Sequence, residues 1–279
     1  MKRLLTLCIL AVLALSLAAR RPAGEAMPPL AEEELSIPHA GRSIYGVLSK
    51  PLDGQKRHPL VIVSHGFNGT HHSGRSYFDM LARIGYMCYT FDFPCGSTAS
   101  RSDANTLNMS VLDEQKALEA IVRYFRSRPD VDKRHIILLG ESQGGLVSTL
   151  AAASMKRQVE RLVLVFPALC IPDNWNQRYP QPTDIPDTTL LWQVPLGRRF
   201  FMELRDMDTY RAVQSYRRPV LIVHGDADPI VPIDYSRRAV RQFRHASLVE
   251  LPGAGHGFSP QDFQTSLVHI RRFLTGEKR

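Results

Sequence analysis

The feature of this chain that most constrains its fold is a serine held between glycines, where an apolar run meets a helical run. Residues 136–139 read Ile-Ile-Leu-Leu, typical of a buried strand, and Gly-Glu-Ser-Gln-Gly follows with Ser142 at its centre. Residues 146–153 then carry the small and apolar side chains of a packed helix. This order predicts a sharp, strained turn that exposes the serine hydroxyl, with glycines that allow neighbouring backbone to approach closely.

The rest of the chain alternates short apolar strands with helical patterns. Segments 34–37 and 43–48 predict an antiparallel hairpin. The later predicted strands are 60–64, 87–91, 135–139, 162–166, 220–223 and 248–251, and the predicted helices are 77–84, 111–125, 235–243 and 260–274. The alternation predicts an α/β fold with a mostly parallel central sheet and helices on both faces. Ligands bind such sheets at the carboxyl ends of the strands.

One long segment, residues 168–215, interrupts this alternation after the sixth predicted strand. It is rich in proline and holds both tryptophans of the chain. Because long ordered insertions in compact domains are usually functional, we predict that this cap segment covers the site. The alternative is a solvent-facing excursion with a small apolar cluster of its own.

The first 26 residues have a different character from the remainder. Two basic residues precede an apolar run over 4–19, which is typical of a secretory signal peptide. An uncleaved anchor is the alternative, but the run is shorter than the roughly 20 apolar residues that a bilayer requires. We therefore predict a signal peptide over 1–26, a mature domain over 27–279 without a stable membrane span, and a secreted or periplasmic protein. Cleavage after Ala18, Ala19 or Ala26 fits the pattern.

Charge and cysteine content argue against several other classes of protein. The net charge is +8, but the basic pairs are scattered and lack the interleaved aromatic residues of nucleic-acid modules, so we predict no nucleic-acid partner. No His/Cys cluster suggests a metal. Beyond the predicted signal peptide the cysteines are Cys88, Cys95 and Cys170, too few for a disulfide framework. A Cys95–Cys170 bridge remains an alternative to three free thiols.

Two further motifs supply partners for the serine. A His-Gly-Asp-Ala-Asp-Pro segment follows the strand at 220–223, and Gly-Ala-Gly-His-Gly-Phe follows the last predicted strand. A serine hydroxyl needs a base, usually histidine, that a carboxylate holds in place. We predict Ser142 as nucleophile, His256 as base and Asp228 as acid. Asp226, in the same turn as Asp228, is the alternative acid and is otherwise expected to hydrogen-bond the turn backbone.

An oxyanion that forms on the substrate needs preorganised donors. We predict the backbone N–H of Gln143, directly after the nucleophile, and that of Phe67, in the loop after the strand at 60–64. Loss of one such donor typically costs about 3 kcal/mol of transition-state stabilisation. We expect His65 to support this loop. Chemistry of this kind needs no cofactor.

Together these residues resemble α/β-hydrolase-fold serine esterases, and more closely the bacterial cinnamoyl and feruloyl esterases. The resemblance runs from about His39 to the C-terminus. It is carried by segments 65–69, 92–97, 109–111, 140–145, 185–187, 224–228 and 253–256. The resemblance implies the α/β-hydrolase fold and hydrolysis of hydroxycinnamic esters such as those on plant cell-wall polysaccharides. It also implies that the cap segment holds the aromatic acid.

The resemblance places four aromatic or acidic residues of the cap segment as substrate contacts: Asp173, Trp175, Tyr179 and Trp192. The prediction is therefore a serine carboxylesterase that acts through an acyl-enzyme on a small-molecule or oligosaccharide ester. A serine peptidase of the same fold, an acetyl or other acyl esterase, and an acyltransferase are the alternatives. A silent binding protein is disfavoured because all three catalytic positions are present.

Overall fold

The computed structural model describes residues 28–277, so the predicted signal peptide lies outside the described residues. Eight strands of this part form one sheet, and two more form a separate hairpin. The sheet strands are β1 (Leu30–His39), β2 (Arg42–Pro51), β3 (His58–Ser64), β4 (Met87–Phe91), β5 (Val131–Glu141), β6 (Arg161–Val165), β9 (Val220–Gly225) and β10 (Ala246–Leu251). The hairpin strands are β7 (Thr188–Leu191) and β8 (Val194–Gly197).

The described helices are α1 (His71–Gly74), α2 (Phe78–Arg83), α3 (Val111–Ser127), α4 (Gln143–Met155), α5 (Ile171–Arg178), α6 (Arg198–Leu204), α7 (Thr209–Ser215), α8 (Asp234–Gln242) and α9 (Pro260–Thr275). The longer ones follow the sequence periodicity closely. Helix α3 also begins where its capping residue predicts: the Ser110 hydroxyl accepts the Asp113 N–H at 3.1 Å and caps the first turn.

The sheet order is β1-β2-β4-β3-β5-β6-β9-β10. Strand β2 pairs antiparallel with β1 and β4, and all other neighbours pair parallel. The predicted mostly parallel sheet, with an insertion after its sixth strand, is therefore confirmed. The carboxyl ends of β3, β5, β6, β9 and β10 all meet at one edge of the sheet.

Both faces of the sheet are covered by helices, as predicted. In β3, Leu60 and Ile62 pack into the core that contains α3 and α4. Val61 and Val63 alternate with them and pack into the opposite core, with α2 and α9. A strand that is apolar on both faces belongs in the centre of such a sheet.

The cap segment contains α5, the β7–β8 hairpin, α6 and α7. It is fixed to the segment that leads into α3: the Thr106 hydroxyl donates to the Pro195 carbonyl at 2.7 Å, and the Ser110 hydroxyl contacts the Glu203 carboxylate. An aromatic cluster holds the segment together and consists of Trp175, Tyr179, Phe200 and Phe201. This cluster is continuous with the main core.

The thiols of Cys88, Cys95 and Cys170 are free and buried, so no bridge joins Cys95 to Cys170. Between residues 28 and 277, no helix is long and apolar enough to cross a bilayer. The same stretch holds no group of three or more His, Cys, Asp or Glu side chains arranged for a metal ion.

Candidate active site

Ser142 occupies the sharp turn between β5 and α4. Its backbone has φ of 50° and ψ of −118°, on the left-handed side that non-glycine residues rarely adopt. The Ser142 N–H donates to the Val165 carbonyl at 3.1 Å, and its own carbonyl accepts the Ala168 N–H at 2.9 Å. These bonds from β6 and the following residues hold the strained turn in place.

Two glycines make the tight packing of this turn possible. A Cβ at Gly140 would overlap the Gly144 carbonyl, and a Cβ at Gly144 would overlap the carbonyl oxygens of Ser64 and His65. The turn therefore sits directly against the end of β3, which brings the loop after β3 beside the serine.

A chain of two hydrogen bonds runs from Ser142 to a buried carboxylate. The Ser142 Oγ lies 3.0 Å from His256 Nε2, and His256 Nδ1 lies 2.7 Å from Asp228 Oδ2. His256 follows β10 and Asp228 follows β9, so the parallel strands deliver all three side chains to the same edge. Such an arrangement can take the proton from the hydroxyl as the oxygen attacks an electrophile.

The surroundings of Asp228 keep it ionised. Burial opposes its charge, but hydrogen bonds from the Val231 N–H (2.9 Å), from His256 and from the Ile230 N–H (2.8 Å) outweigh burial and lower the pKa of Asp228. The alternative acid, Asp226, is exposed and accepts the Gly253 N–H at 2.6 Å. It ties two loops together, while Asp228 holds the histidine.

His224 is a buried neighbour of Asp228 that sequence reasoning missed. Its Nε2 lies 3.2 Å from Asp228 Oδ2 and 3.1 Å from the Val231 carbonyl, and its Nδ1 lies 2.7 Å from the Ser236 hydroxyl. Since both neighbours of Nε2 are acceptors, we assign the proton to that nitrogen. Burial lowers the pKa of His224, against the attraction of Asp228, so a neutral imidazole braces the carboxylate.

The two predicted oxyanion donors belong to residues near the serine. Phe67 and Gln143 both line the cavity that contains Ser142. Within residues 28–277 neither backbone N–H donates to another protein group. A Cβ added at Gly66 would lie 3.2 Å from the Ser142 Cβ, which shows how closely the loop before Phe67 approaches. Both N–H groups therefore remain available to a ligand.

His65 supports this loop, in keeping with its expected role. Its Nε2 accepts the Phe93 N–H at 3.1 Å, and its Nδ1 lies 2.7 Å from the Gly66 carbonyl. Burial lowers the pKa of His65, which keeps the ring neutral.

The side chain of Gln143 is held by a buried carboxyl group that the sequence analysis overlooked. Its Nε2 lies 2.9 and 3.1 Å from the two oxygens of Glu114. Burial raises the pKa of Glu114 from its ordinary 4.5 to about 8, although the Gln143 hydrogen bond opposes this. A signal was present, because Glu114 falls on the apolar face of α3 between Val111 and Leu118.

The cap segment forms the roof of a cavity of about 470 Å³ over Ser142. Trp175 and Trp192 both line it, as does Arg178. Trp192 lies at the tip of the β7–β8 hairpin, is 64% exposed, and meets the Phe67 ring edge-on at 5.7 Å. The cavity is therefore mainly apolar and aromatic, with the serine at its floor.

Two of the predicted substrate contacts do not line this cavity. Asp173 faces away from it and accepts the Tyr235 hydroxyl at 3.0 Å. Tyr179 stacks on Trp175 at 6.2 Å, and its hydroxyl lies 3.2 Å from that of Thr189. Asp173 thus links α5 to α8, and Tyr179 packs within the aromatic cluster of the cap segment.

Residues 60–265 match the model of the alpha/beta hydrolase family. The chain belongs to this family. The matched range includes the sharp turn at Ser142, the turn with Asp228 and the loop with His256. The predicted fold is thereby confirmed a second time.

Individual relatives include esterases. The chain is 26% identical to esterase LipC of Mycobacterium tuberculosis, with 88% of this chain and 67% of the relative covered. It is similar to Est1E of Butyrivibrio proteoclasticus, solved with ferulic acid bound, at 26% identity and a TM-score of 0.79 over 87% of this chain and 98% of that one. A monoacylglycerol lipase of Paleococcus ferrophilus, 18% identical with a TM-score of 0.63 over 84% of this chain and 98% of its own, shares the fold. The predicted resemblance to esterases of this fold is confirmed.

Proposed function

We propose that this alpha/beta hydrolase is a serine carboxylesterase that hydrolyses aromatic esters of the hydroxycinnamoyl type. The observation that carries the proposal is the hydrogen-bonded chain Ser142–His256–Asp228, which opens into an apolar cavity with tryptophans in its wall. The chain supplies the nucleophile and base of acyl transfer. The cavity supplies an aromatic environment for the acyl group.

In the first half of the reaction, Ser142 Oγ attacks the ester carbonyl carbon while His256 Nε2 takes the hydroxyl proton. Asp228 stabilises the resulting imidazolium. The negative charge that develops on the carbonyl oxygen is met by the free N–H groups of Phe67 and Gln143. His256 then gives its proton to the leaving alkoxide oxygen as the C–O bond breaks, which leaves an acyl-enzyme and a free alcohol.

In the second half, His256 takes a proton from a water molecule as that water attacks the acyl-enzyme carbonyl. The same two N–H groups hold the second oxyanion. Return of the proton to Ser142 Oγ breaks the ester bond to the enzyme and releases the carboxylic acid. Every proton in the cycle passes through His256 Nε2.

The size and lining of the cavity support the proposal of an aromatic acyl group. Its volume of about 470 Å³ is in the range of small-molecule sites, and Trp175 and Trp192 offer ring faces or edges. The similar Est1E binds ferulic acid in its solved structure. The proposal extends that ligand class to this chain.

We also propose that the enzyme acts outside the cytoplasm. Support comes from the basic and apolar pattern of residues 1–26. The mass of the protein recovered from the periplasm or medium tests this: cleavage after Ala18, Ala19 or Ala26 supports it, and an intact chain retained in the cytoplasm contradicts it.

Hydrolysis of three substrates by wild type and Ser142→Ala tests the main proposal: methyl ferulate, p-nitrophenyl acetate and an aminoacyl p-nitroanilide. Ser154→Ala, an exposed serine later in the same helix, is the matched control. We expect serine-dependent turnover with ferulate well above acetate, and wild-type rates for the control. Turnover of acetate alone would remove the aromatic assignment, preference for the anilide would indicate a peptidase, and full activity of Ser142→Ala would overturn the mechanism.

A further inference from the structure

Helix α5 turns one face toward the cavity. Ile171, Asn174, Trp175 and Arg178 all line it, and their spacing of three, four and seven residues places them on one side of the helix. The helix begins beside the nucleophile, because the Ala168 N–H donates to the Ser142 carbonyl at 2.9 Å. At about 1.5 Å of rise per residue, Arg178 lies roughly 10 Å further along the wall than Ile171.

Arg178 is the one charged side chain in the cavity wall within the described part of the chain. Its guanidinium lies 5.8 Å from the centroid of the Trp175 ring and 5.7 Å from that of Tyr179. These contacts hold the flat guanidinium against two stacked rings without using its N–H donors. No carboxylate of residues 28–277 pairs with it.

The other arginines of the cap segment differ from Arg178. Arg198 donates to the carbonyls of Ile185 and Pro182, and Arg205 donates to those of Tyr179 and Pro180. Each of these guanidinium groups thus uses two of its N–H donors to fasten the cap segment. Arg199 pairs with the carboxylates of Asp113 and Glu203, and Arg211, which is exposed, lies outside the cavity wall. Among the arginines of the cap segment, Arg178 is the one that lines the cavity with its N–H donors free.

We propose that Arg178 forms a subsite for a carboxylate at the end of the acyl group remote from the ester. The inference rests on the proposed function, since it assumes that an aromatic acyl group lies along α5. A guanidinium binds a carboxylate through two parallel hydrogen bonds, and the guanidinium of Arg178, although exposed, is oriented by its contacts with the two rings. The rise of roughly 10 Å along α5 from Ile171 to Arg178 is comparable with the length of a para-substituted cinnamoyl group. Among aromatic esters, the subsite therefore favours those whose acyl group carries a carboxylate at its far end.

The test is a matched pair of esters, methyl 4-carboxycinnamate and methyl 4-methylcinnamate, which have similar shapes and differ in charge. For wild type we expect kcat/KM to favour the carboxylate ester about tenfold, the size of one charge-assisted hydrogen bond near solvent. R178Q should lose this preference and R178K should keep part of it. R211Q, which removes an unpaired cap arginine outside the wall, should keep all of it. Raising the salt concentration should shrink the wild-type preference.

Equal kcat/KM for the two esters in wild type, or a preference that survives in R178Q, would overturn the inference. Turnover of the neutral ester reports separately on the proposed function. If neither ester is turned over, fluorescence quenching of the two tryptophans measures how Ser142→Ala binds the two free acids. Tighter binding of 4-carboxycinnamate that disappears in the Ser142→Ala/R178Q double variant supports the subsite, and equal binding of the two acids overturns it.

Discussion

The floor of the cavity, formed by the loops after β5, β9 and β10, and its roof, formed by the cap segment, hold their side chains in different ways. On the floor, Asp228 and the backbone of Ser142 are fixed by hydrogen bonds from several directions. On the roof, Trp192 is 64% exposed and rests on an edge-on ring contact. In the proposed reaction, the hydrogen-bonded floor carries out the bond-making steps and the ring-packed roof selects among acyl groups. Changes to the floor should therefore affect all esters, and changes to the roof should affect the choice among them.

The largest effect is expected for Asp228→Asn on the floor. An amide cannot stabilise the imidazolium and favours the wrong histidine tautomer, so kcat should fall by about 10⁴. The fall should be equal for p-nitrophenyl acetate and methyl ferulate in steady-state assays. Asp226→Asn is the control, because Asp226 only accepts the Gly253 N–H. A comparable loss in Asp226→Asn would contradict the assignment of the acid.

The next effect concerns the packing beneath the serine. Gly144→Ala should lower the free energy of unfolding by about 4 kcal/mol, because its Cβ would meet the backbone carbonyls of Ser64 and His65. Gly255→Ala, where nothing lies within 4 Å of the added Cβ, should change it by less than about 0.5 kcal/mol. Urea unfolding of both variants checks this. Similar free energies of unfolding for the two variants would show that the turn at Ser142 packs less tightly than described.

Glu114, which holds the Gln143 side chain from α3, should make the free energy of unfolding depend on pH. Burial raises its pKa from 4.5 to about 8, so the folded protein binds this proton more tightly than the unfolded chain does. The Glu114 contribution to the free energy of unfolding therefore falls as pH rises from about 4.5 to about 8 and is constant above that. Glu114→Gln removes this contribution, so by pH 7 its free energy of unfolding should have risen by about 3 kcal/mol relative to that of wild type.

Urea unfolding of wild type and Glu114→Gln at several pH values measures this difference. Glu141, which accepts the Tyr77 hydroxyl at 2.6 Å and whose pKa burial raises to about 7, is present in both proteins and cancels in the comparison. Parallel curves for the two proteins would rule out a proton held at Glu114.

The smallest effect is expected on the roof. Trp192→Ala should lower the ratio of kcat/KM for methyl ferulate to that for p-nitrophenyl acetate by about tenfold, since an acetyl group is too short to use the ring. Leu190→Ala is the control, because Leu190 is equally exposed in the same hairpin and lies outside the cavity wall. An unchanged ratio in Trp192→Ala would mean that the roof does not select aromatic groups.

The floor was largely predictable from the sequence, for a physical reason. Parallel strands bring their carboxyl ends to one edge, so motifs that follow strands meet even when they are far apart in the chain. Ser142, Asp228 and His256 follow this rule. The partners behind them do not, because His224 and Glu114 are defined by burial and by contacts between elements. Only the position of Glu114 on an apolar helix face could have pointed to it.

The roof was less predictable. The hairpin turn holds Trp192 and Gln193, both at positive φ, where Gly or Asn would ordinarily mark such a turn. The sequence therefore gave no turn signal. Helix α5 is short, and its rotation decides which residues line the cavity. That rotation brings Trp175 and Arg178 inward and turns Asp173 outward, which no pattern over eight residues could settle.

The central claim is that Ser142 carries the acyl group during turnover. Acid quenching of the enzyme during steady-state hydrolysis of p-nitrophenyl acetate, followed by peptide mass spectrometry, tests it directly. We predict an acetyl group on Ser142 in wild type, and neither acetyl group nor turnover in Ser142→Ala. Turnover with an unmodified Ser142, or an acetyl group on another residue that persists in Ser142→Ala with full activity, would contradict the account.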